Sequence, residues 1–282
     1  MSSRIAVVTD STSMLSPEVI SARAITVVPL QVVIGARAYD EDADSDPGMV
    51  ADALRARRSV STSRPTPQAF LAVYQSLASQ GADAIVSVHL SGEISGTCES
   101  AQLAARDAPV PVEVVDSRLV GAGTGFCVLA AADAVAAGAD VGVAGEAARR
   151  RAAATTSLFY VDTLEHLRRG GRIGAAAKLV GSVLAVKPLL RLDDGRVVPL
   201  EKVRTSARAI SRLEELAVEA AGDDEVDLAV AHLASPDCAR DVATHLRSRV
   251  PGARDVVVGE VGAVVGAHVG PGMLAVVVAP RV

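Results

Sequence analysis

Aromatic side chains are scarce in this 282-residue chain: three Phe, three Tyr and no Trp make up 2% of it. Half of the residues are nonetheless apolar, so a core here is built from Ala, Val, Leu and Ile. Such a lining suits an aliphatic ligand and offers few rings on which bases could stack. The formal net charge of −5 gives no overall attraction to a phosphate backbone. No nucleic-acid partner is expected.

Cysteine is also sparse. Cys98, Cys127 and Cys238 lie far apart and form no CxxC pair, which argues against a zinc site and a disulfide framework. Reduced thiols in a cytoplasmic protein are the expectation. No uninterrupted apolar run reaches the roughly 18 residues of a membrane span. Met1 to Asp10 contains no long apolar segment of the signal-peptide kind.

Several enzyme signatures are missing as well. No Gly-Lys pair exists, which removes a phosphate-binding P-loop. Gly121-Ala122-Gly123-Thr124-Gly125 has the spacing GxGxG, where a dinucleotide fingerprint needs GxGxxG. The five histidines form no HExxH or paired Cys/His pattern, so neither a metal nor a cofactor is expected. Around Ser95 the order Gly92-Glu93-Ile94-Ser95-Gly96 is not the GxSxG elbow of α/β hydrolases.

What is present is alternation. Arg4–Thr9 reads as a buried strand, and Ser16-Pro17 as a helix start. Ile25–Ile34 reads as a strand bent or edged by Pro29, and Asp40–Asp46 as an acidic stretch before a helix after Pro47. A polar loop over Ser59–Pro67 precedes a helix at Gln68–Gln80. Strands at Ala84–His89 and Val112–Val115 then alternate with helices at Ser95–Arg106 and Gly121–Ala137. This βαβα order implies a Rossmann-like parallel sheet.

The second half differs. Val186–Leu192 and Arg196–Lys202 flank Asp193-Asp194-Gly195, a hairpin signal that implies a mixed or antiparallel sheet. Thr205–Ala221 places Ile210, Leu213, Leu216 and Ala220 on one face. The fold expected is therefore α/β with two domains. Residues 1–153 form the parallel-sheet domain and 154–282 the domain with the mixed sheet.

Three polar segments carry the chemistry. In Ser61-Thr62-Ser63-Arg64-Pro65-Thr66-Pro67 the prolines stiffen a row of hydroxyls, although Thr66 and Pro67 also read as a plain helix entry. In Leu90-Ser91-Gly92-Glu93-Ile94-Ser95-Gly96-Thr97 the hydroxyl of Ser95 stands where a helix begins, a place that accepts a carboxylate but also a simple cap. In Val265-Gly266-Ala267-His268-Val269-Gly270-Pro271-Gly272 a single histidine stands in a Gly-rich turn.

Taken together, these segments resemble the DegV family. The resemblance is carried by Val8-Thr9-Asp10-Ser11-Thr12, the Thr62-Ser63-x-Pro65-x-Pro67 loop, Leu90-Ser91 to Ser95-Gly96-Thr97, and Val115-Asp116-Ser117. It continues through Leu167-x-x-Gly170-Gly171-Arg172-Ile173, Lys187-Pro188 and His268-x-Gly270-Pro271-Gly272. It implies a carrier, not an enzyme acting alone, that buries a long-chain fatty acid in an apolar tunnel. The acid's carboxylate is then presented to a separate fatty-acid kinase, which makes acyl phosphate for phospholipid synthesis. Carried onto this sequence, Thr62, Ser95 and His268 would hold the carboxylate, with Ser63 and Gly96 beside them, and Arg172 would meet the kinase. Contact with a membrane would be peripheral or transient.

The chain departs from the family's usual pattern at Gly92-Glu93-Ile94, at Cys98 where an aromatic is common, and at Arg64 where Gln is common. Glu93 is expected to face solvent. The rival reading is a serine-dependent lipid or ester hydrolase using Ser95 and His268, for which no orienting acid is evident.

Overall fold

The computed structural model describes residues 4–41, 46–179 and 187–281. In chain order its first part contains β1 (Ile5–Asp10), α1 (Pro17–Ala22), β2 (Ile25–Val28), β3 (Gln31–Ile34), β4 (Arg37–Asp40), α2 (Pro47–Arg55) and β5 (Val60–Ser63). There follow α3 (Pro67–Ser79), β6 (Ala84–His89), α4 (Thr97–Ala105), β7 (Val112–Asp116), α5 (Ala122–Ala136) and α6 (Val141–Ala154). The remainder runs β8 (Thr156–Tyr160), α7 (Glu165–Arg169), β9 (Lys187–Asp193), β10 (Arg196–Val203), α8 (Ser206–Ala221) and β11 (Val226–His232). It closes with α9 (Pro236–Arg249), β12 (Ala253–Glu260), α10 (Ala263–Val269) and β13 (Leu274–Pro280).

Packing divides the chain into two compact units: Met1–Gln31 with Ser63–Ala153, and Val32–Thr62 with Ala154–Val282. The sequence reading draws a single cut after residue 153. The structure instead moves 32–62 into the second unit. The reason is apolar: Val32, Ile34, Val50 and Ala53 are buried in one cluster with Ala263 and Ala267 of α10.

The first unit is an open α/β sheet of order β2-β1-β6-β7 with every pairing parallel. Every residue of β6 is buried, which fits a central strand covered on both faces. Its core joins Val8, Val28 and Ile85 to Phe70 and Tyr74 of α3 and Ala101 and Ala104 of α4. Two of the chain's six aromatics, Phe70 and Tyr74, thus serve this core from one helix.

The second unit carries a six-stranded mixed sheet of order β10-β9-β8-β13-β11-β12. Only β11 and β12 run parallel; the other four pairings are antiparallel. Asp194 and Gly195 turn the β9–β10 hairpin with φ of 48° and 80°, the two positive values a tight hairpin turn requires. The start of the expected strand at Val186 lies outside the described residues, as do residues 42–45 of the acidic stretch. On α8 the fully buried stripe is Ala209, Leu213, Ala217 and Ala221, with Ile210, Leu216 and Ala220 packed at its flanks. The expected face is therefore rotated by one residue. Residues 32–62 add a small sheet of order β4-β3-β5, with α2 packed on α10.

Other local corrections have simple causes. Ile25–Ile34 is two strands in two sheets, split at Pro29, with Leu30 N–H donating to Ser11 Oγ at 3.0 Å. The loop at Ser59–Pro67 contains β5, whose alternating half-buried and exposed residues include few apolar ones. Of the Gly-rich turn, Val265–Val269 belong to the helix α10, ended by Gly270 at φ 76°, and Pro271-Gly272 form a turn before β13.

Candidate functional site

In the second unit, Thr62 and His268 meet. Thr62 is the last residue but one of β5, and His268 stands in the final turn of α10. Thr62 Oγ1 and His268 Nε2 lie 2.8 Å apart. The inserted segment also grips the other end of this helix. Glu41, 2% exposed, accepts a hydrogen bond from Val264 N–H at 2.7 Å, putting a carboxylate at the helix start. A Cβ on Gly262 would sit 2.3 Å from Glu41 Oε1, so the glycine admits that carboxylate.

The ring of His268 is held from behind by the Gly170-Gly171-Arg172 segment. A Cβ on Gly170 would lie 2.1 Å from His268 Nδ1. Nδ1 is buried and has no hydrogen-bond partner among the described residues. Burial, with the nearby positive charge of Arg172, pushes the His268 imidazole down to about 4. The ring is therefore neutral near pH 7 in the unliganded chain. Arg172 itself is exposed and donates through Nη1 to Gly170 O at 2.7 Å.

The glycines after His268 have matching partners. A Cβ on Gly270 would meet the ring of His166 at 2.1 Å, and one on Gly272 would meet Asp162 Oδ2 at 3.1 Å. Asp162 in turn accepts from Lys187 Nζ at 2.7 Å. The Lys187-Pro188 and His268-x-Gly270-Pro271-Gly272 motifs thus converge on one patch of the second unit.

In the first unit, Ser95, Gly96 and Arg64 come together. Ser95 precedes the α4 N-cap, Gly96, and its half-buried hydroxyl faces Thr97 Oγ1 at 2.9 Å and accepts from Thr97 N–H at 3.3 Å. The helix starts two residues later than the sequence suggests. Arg64 Nη1 donates to Gly96 O at 3.2 Å and Glu99 Oε2 at 2.8 Å. Ser63 is exposed and donates to Gln31 Oε1 at 3.2 Å. Thr66 and Pro67 form a plain helix entry, Thr66 Oγ1 accepting from Ala69 N–H. Glu93 is exposed, as expected.

A buried polar chain underlies the Ser91–Ser95 loop. Asp10 Oδ1 accepts from Thr12 N–H and Oγ1, while Oδ2 accepts from Leu90 N–H at 3.0 Å and lies 3.0 Å from His89 Nδ1. His89 Nε2 lies 2.7 Å from Ser87 Oγ, which lies 2.9 Å from Tyr74 Oη. Sequence reasoning missed this network, although Asp10 and His89 close the two central strands. Asp10, His89, Ser87 and Tyr74 are all completely buried. The order Asp–His–Ser is that of a hydrolase, but the serine is sealed in the core and already bonded to tyrosine. Burial pushes the Tyr74 phenol up to about 12 despite the Ser87 hydrogen bond. Outside the core, Asp116 Oδ1 accepts from Arg118 N–H and Oδ2 from Gly92 N–H, tying the Ser91–Ser95 loop to the end of β7.

Among the described residues no group of three or more His, Cys, Asp and Glu is placed to hold a metal, and no helix is long and apolar enough to cross a membrane. An open concavity of about 470 Å³ beside α8 is lined largely by charged side chains, among them Glu201, Lys202, Arg204, Arg208 and Arg212.

Comparison with known proteins gives the family and the fold. A family model described as "Uncharacterised protein, DegV family" matches residues 4–281. A DegV domain-containing protein of Streptomyces coelicolor is 56% identical over 281 residues, covering 100% of both chains. Protein DegV of Bacillus subtilis is 36% identical over 96% of this chain and 98% of its own. Among solved structures, a DegV family protein from Thermus thermophilus described for fatty-acid binding superposes with a TM-score of 0.93 at 31% identity, covering 99% and 100%. The DegV crystal structure from Bacillus subtilis, described as a fatty acid binding protein, gives 0.92 at 33%, with the same coverage. The chain is a member of the DegV family.

Proposed function

We propose that this protein binds one long-chain fatty acid and presents its carboxylate to a separate fatty-acid kinase. The observation that carries the reading is the Thr62–His268 pair, in a family whose solved members at 31% and 33% identity are described as binding fatty acids.

Its chemistry follows from the hydrogens. His268 is neutral, so one ring nitrogen carries a proton and the other a lone pair. A buried N–H without a partner is costlier than a lone pair without one. Nδ1 is the buried nitrogen with no partner, so the proton belongs on Nε2, which donates to Thr62 Oγ1. The Thr62 hydroxyl then keeps its own hydrogen for an incoming carboxylate. Bound there, an ionised carboxylate makes that hydroxyl's hydrogen bond charge-assisted and, as a nearby negative charge, raises the His268 pKa. In the first unit, Ser95 and Gly96 offer a second polar group of the kind that receives a carboxylate.

Tail and head contribute unequally. About fourteen buried methylenes at roughly 0.8 kcal/mol each give on the order of 11 kcal/mol before ordering costs, against about 1 kcal/mol per headgroup bond. An apolar tunnel therefore sets affinity, and the polar residues set orientation.

Arg172 fits a docking role. Between Glu165 and Arg212 the chain carries eleven Lys and Arg against four Asp and Glu, within a protein of net charge −5. That basic stretch suits an acidic partner surface. The test is to extract and weigh the lipid that copurifies, then assay acyl-phosphate formation with the kinase and ATP. A fatty acid in near one-to-one ratio and kinase-dependent product support the reading; long-chain ester turnover lost in Ser95→Ala would replace it with a hydrolase.

A further inference from the structure

We propose that Arg64, beside Ser95 in the first unit, is a charge-selecting residue, which makes the protein prefer an ionised acid over a neutral lipid with the same tail. The proposal rests on the fatty-acid reading and concerns how the protein chooses its ligand.

The guanidinium of Arg64 lies directly on the backbone of Gly96. A Cβ at position 96 would be 1.5 Å from Nη1 and 2.6 Å from Cζ, so glycine is the residue that admits it. Gly96 follows Ser95, and its carbonyl accepts from Arg64 Nη1. A full positive charge therefore lies one residue from the serine proposed to hold the carboxylate.

The remaining bonding capacity is turned to use by geometry. A guanidinium offers five N–H donors. Both contacts of Arg64, to Gly96 O and Glu99 Oε2, run through Nη1, and among the described residues Nε and Nη2 have no partner. Those two groups form the edge that grips a carboxylate with two parallel hydrogen bonds. The Glu99 pair does not hold the cation firmly. Its side chains are 50% and 66% exposed, and such surface pairs are weak. Arg64 can thus exchange Glu99 for a ligand oxygen, or share itself between them, at small cost. A Gln at this position would offer neither the charge nor the fork.

The experiment compares one acyl chain in two forms, the free acid and its methyl ester, by competition for a fluorescent fatty-acid probe. Wild-type protein is compared with Arg64→Gln and Arg64→Lys at low and high salt. Arg64→Gln should lower the ratio of acid to ester affinity about fivefold to tenfold, with ester affinity unchanged within twofold. Its acid binding should also lose salt dependence, and Arg64→Lys should restore much of the ratio. Equal losses for acid and ester would reduce Arg64 to a structural support and overturn the proposal, as would no change in either. Wild-type protein that displaces no probe with the acid would instead overturn the fatty-acid reading itself.

Discussion

Thr62 and His268, 206 positions apart in sequence, are joined by a 2.8 Å hydrogen bond between Oγ1 and Nε2. The bond exists because residues 32–62 leave the first unit and pack on α10. Val50 and Ala53 cover Ala263 and Ala267, Glu41 holds the helix start, and Thr62 meets its last turn. If Thr62 is the donor to a carboxylate, Thr62→Ser should keep most acid binding and kinase-dependent product. Thr62→Val should cut product at least tenfold while tail-driven lipid binding falls only a few-fold. Equilibrium binding and single-turnover assays on both variants check this.

Gly170 should tolerate no side chain. Its Cβ would meet His268 Nδ1 at 2.1 Å, so Gly170→Ala should turn the ring away from Thr62 without unfolding the second unit. The expected result is a near-normal melting temperature, a shift of a few °C at most, with loss of acyl-phosphate formation comparable to His268→Ala. Calorimetry beside the kinase assay measures both.

The buried imidazole makes stability depend on pH. Its folded pKa, about 4, lies below the ordinary 6.5, so the unfolded chain binds more protons in between. Stability from the neutral ring is full above pH 6.5, falls as pH drops toward 4, and levels off below. Between pH 7 and pH 5 the His268 share amounts to about 2 kcal/mol at most. His166 and His232 are also pushed down, chiefly by burial, and add in the same direction. Urea unfolding at both pH values should show His268→Gln losing less stability on acidification than the parent.

Asp10 should matter chiefly for stability. It accepts from Thr12 and Leu90 N–H and faces His89, all inside a sealed core. Asp10→Ala leaves those donors unpaired and should cost about 3 kcal/mol or more. Denaturant midpoints measure that loss directly.

Much of the architecture was legible in the sequence because strand and helix periods and turn residues are local signals. Ala84–His89, the Asp194-Gly195 hairpin and the Thr205 cap of α8 are all written in short windows. What escaped is non-local. Nothing between Val32 and Thr62 announces that its apolar residues will pack on a helix two hundred positions away. Residues 265–272 read as a glycine-rich turn, yet 263–269 form a helix whose start is held by a glutamate from that same excursion. The proposed site residues Thr62, Ser95 and His268 were reachable only through the ordered run of family motifs. Taken singly, each is an ordinary polar residue near an element end. The Asp10–His89–Ser87–Tyr74 chain escaped because its members sit in strand and helix windows that read as core.

The most direct measurement uses a long-chain fatty acid labelled with ¹³C at the carboxyl carbon, followed by NMR on the loaded protein. The account predicts a single bound resonance that shifts in Thr62→Val and His268→Ala, and a His268 imidazole whose pKa rises well above 4 when the acid is present. A carboxyl signal identical in parent and variants, or an imidazole indifferent to the ligand, would contradict it.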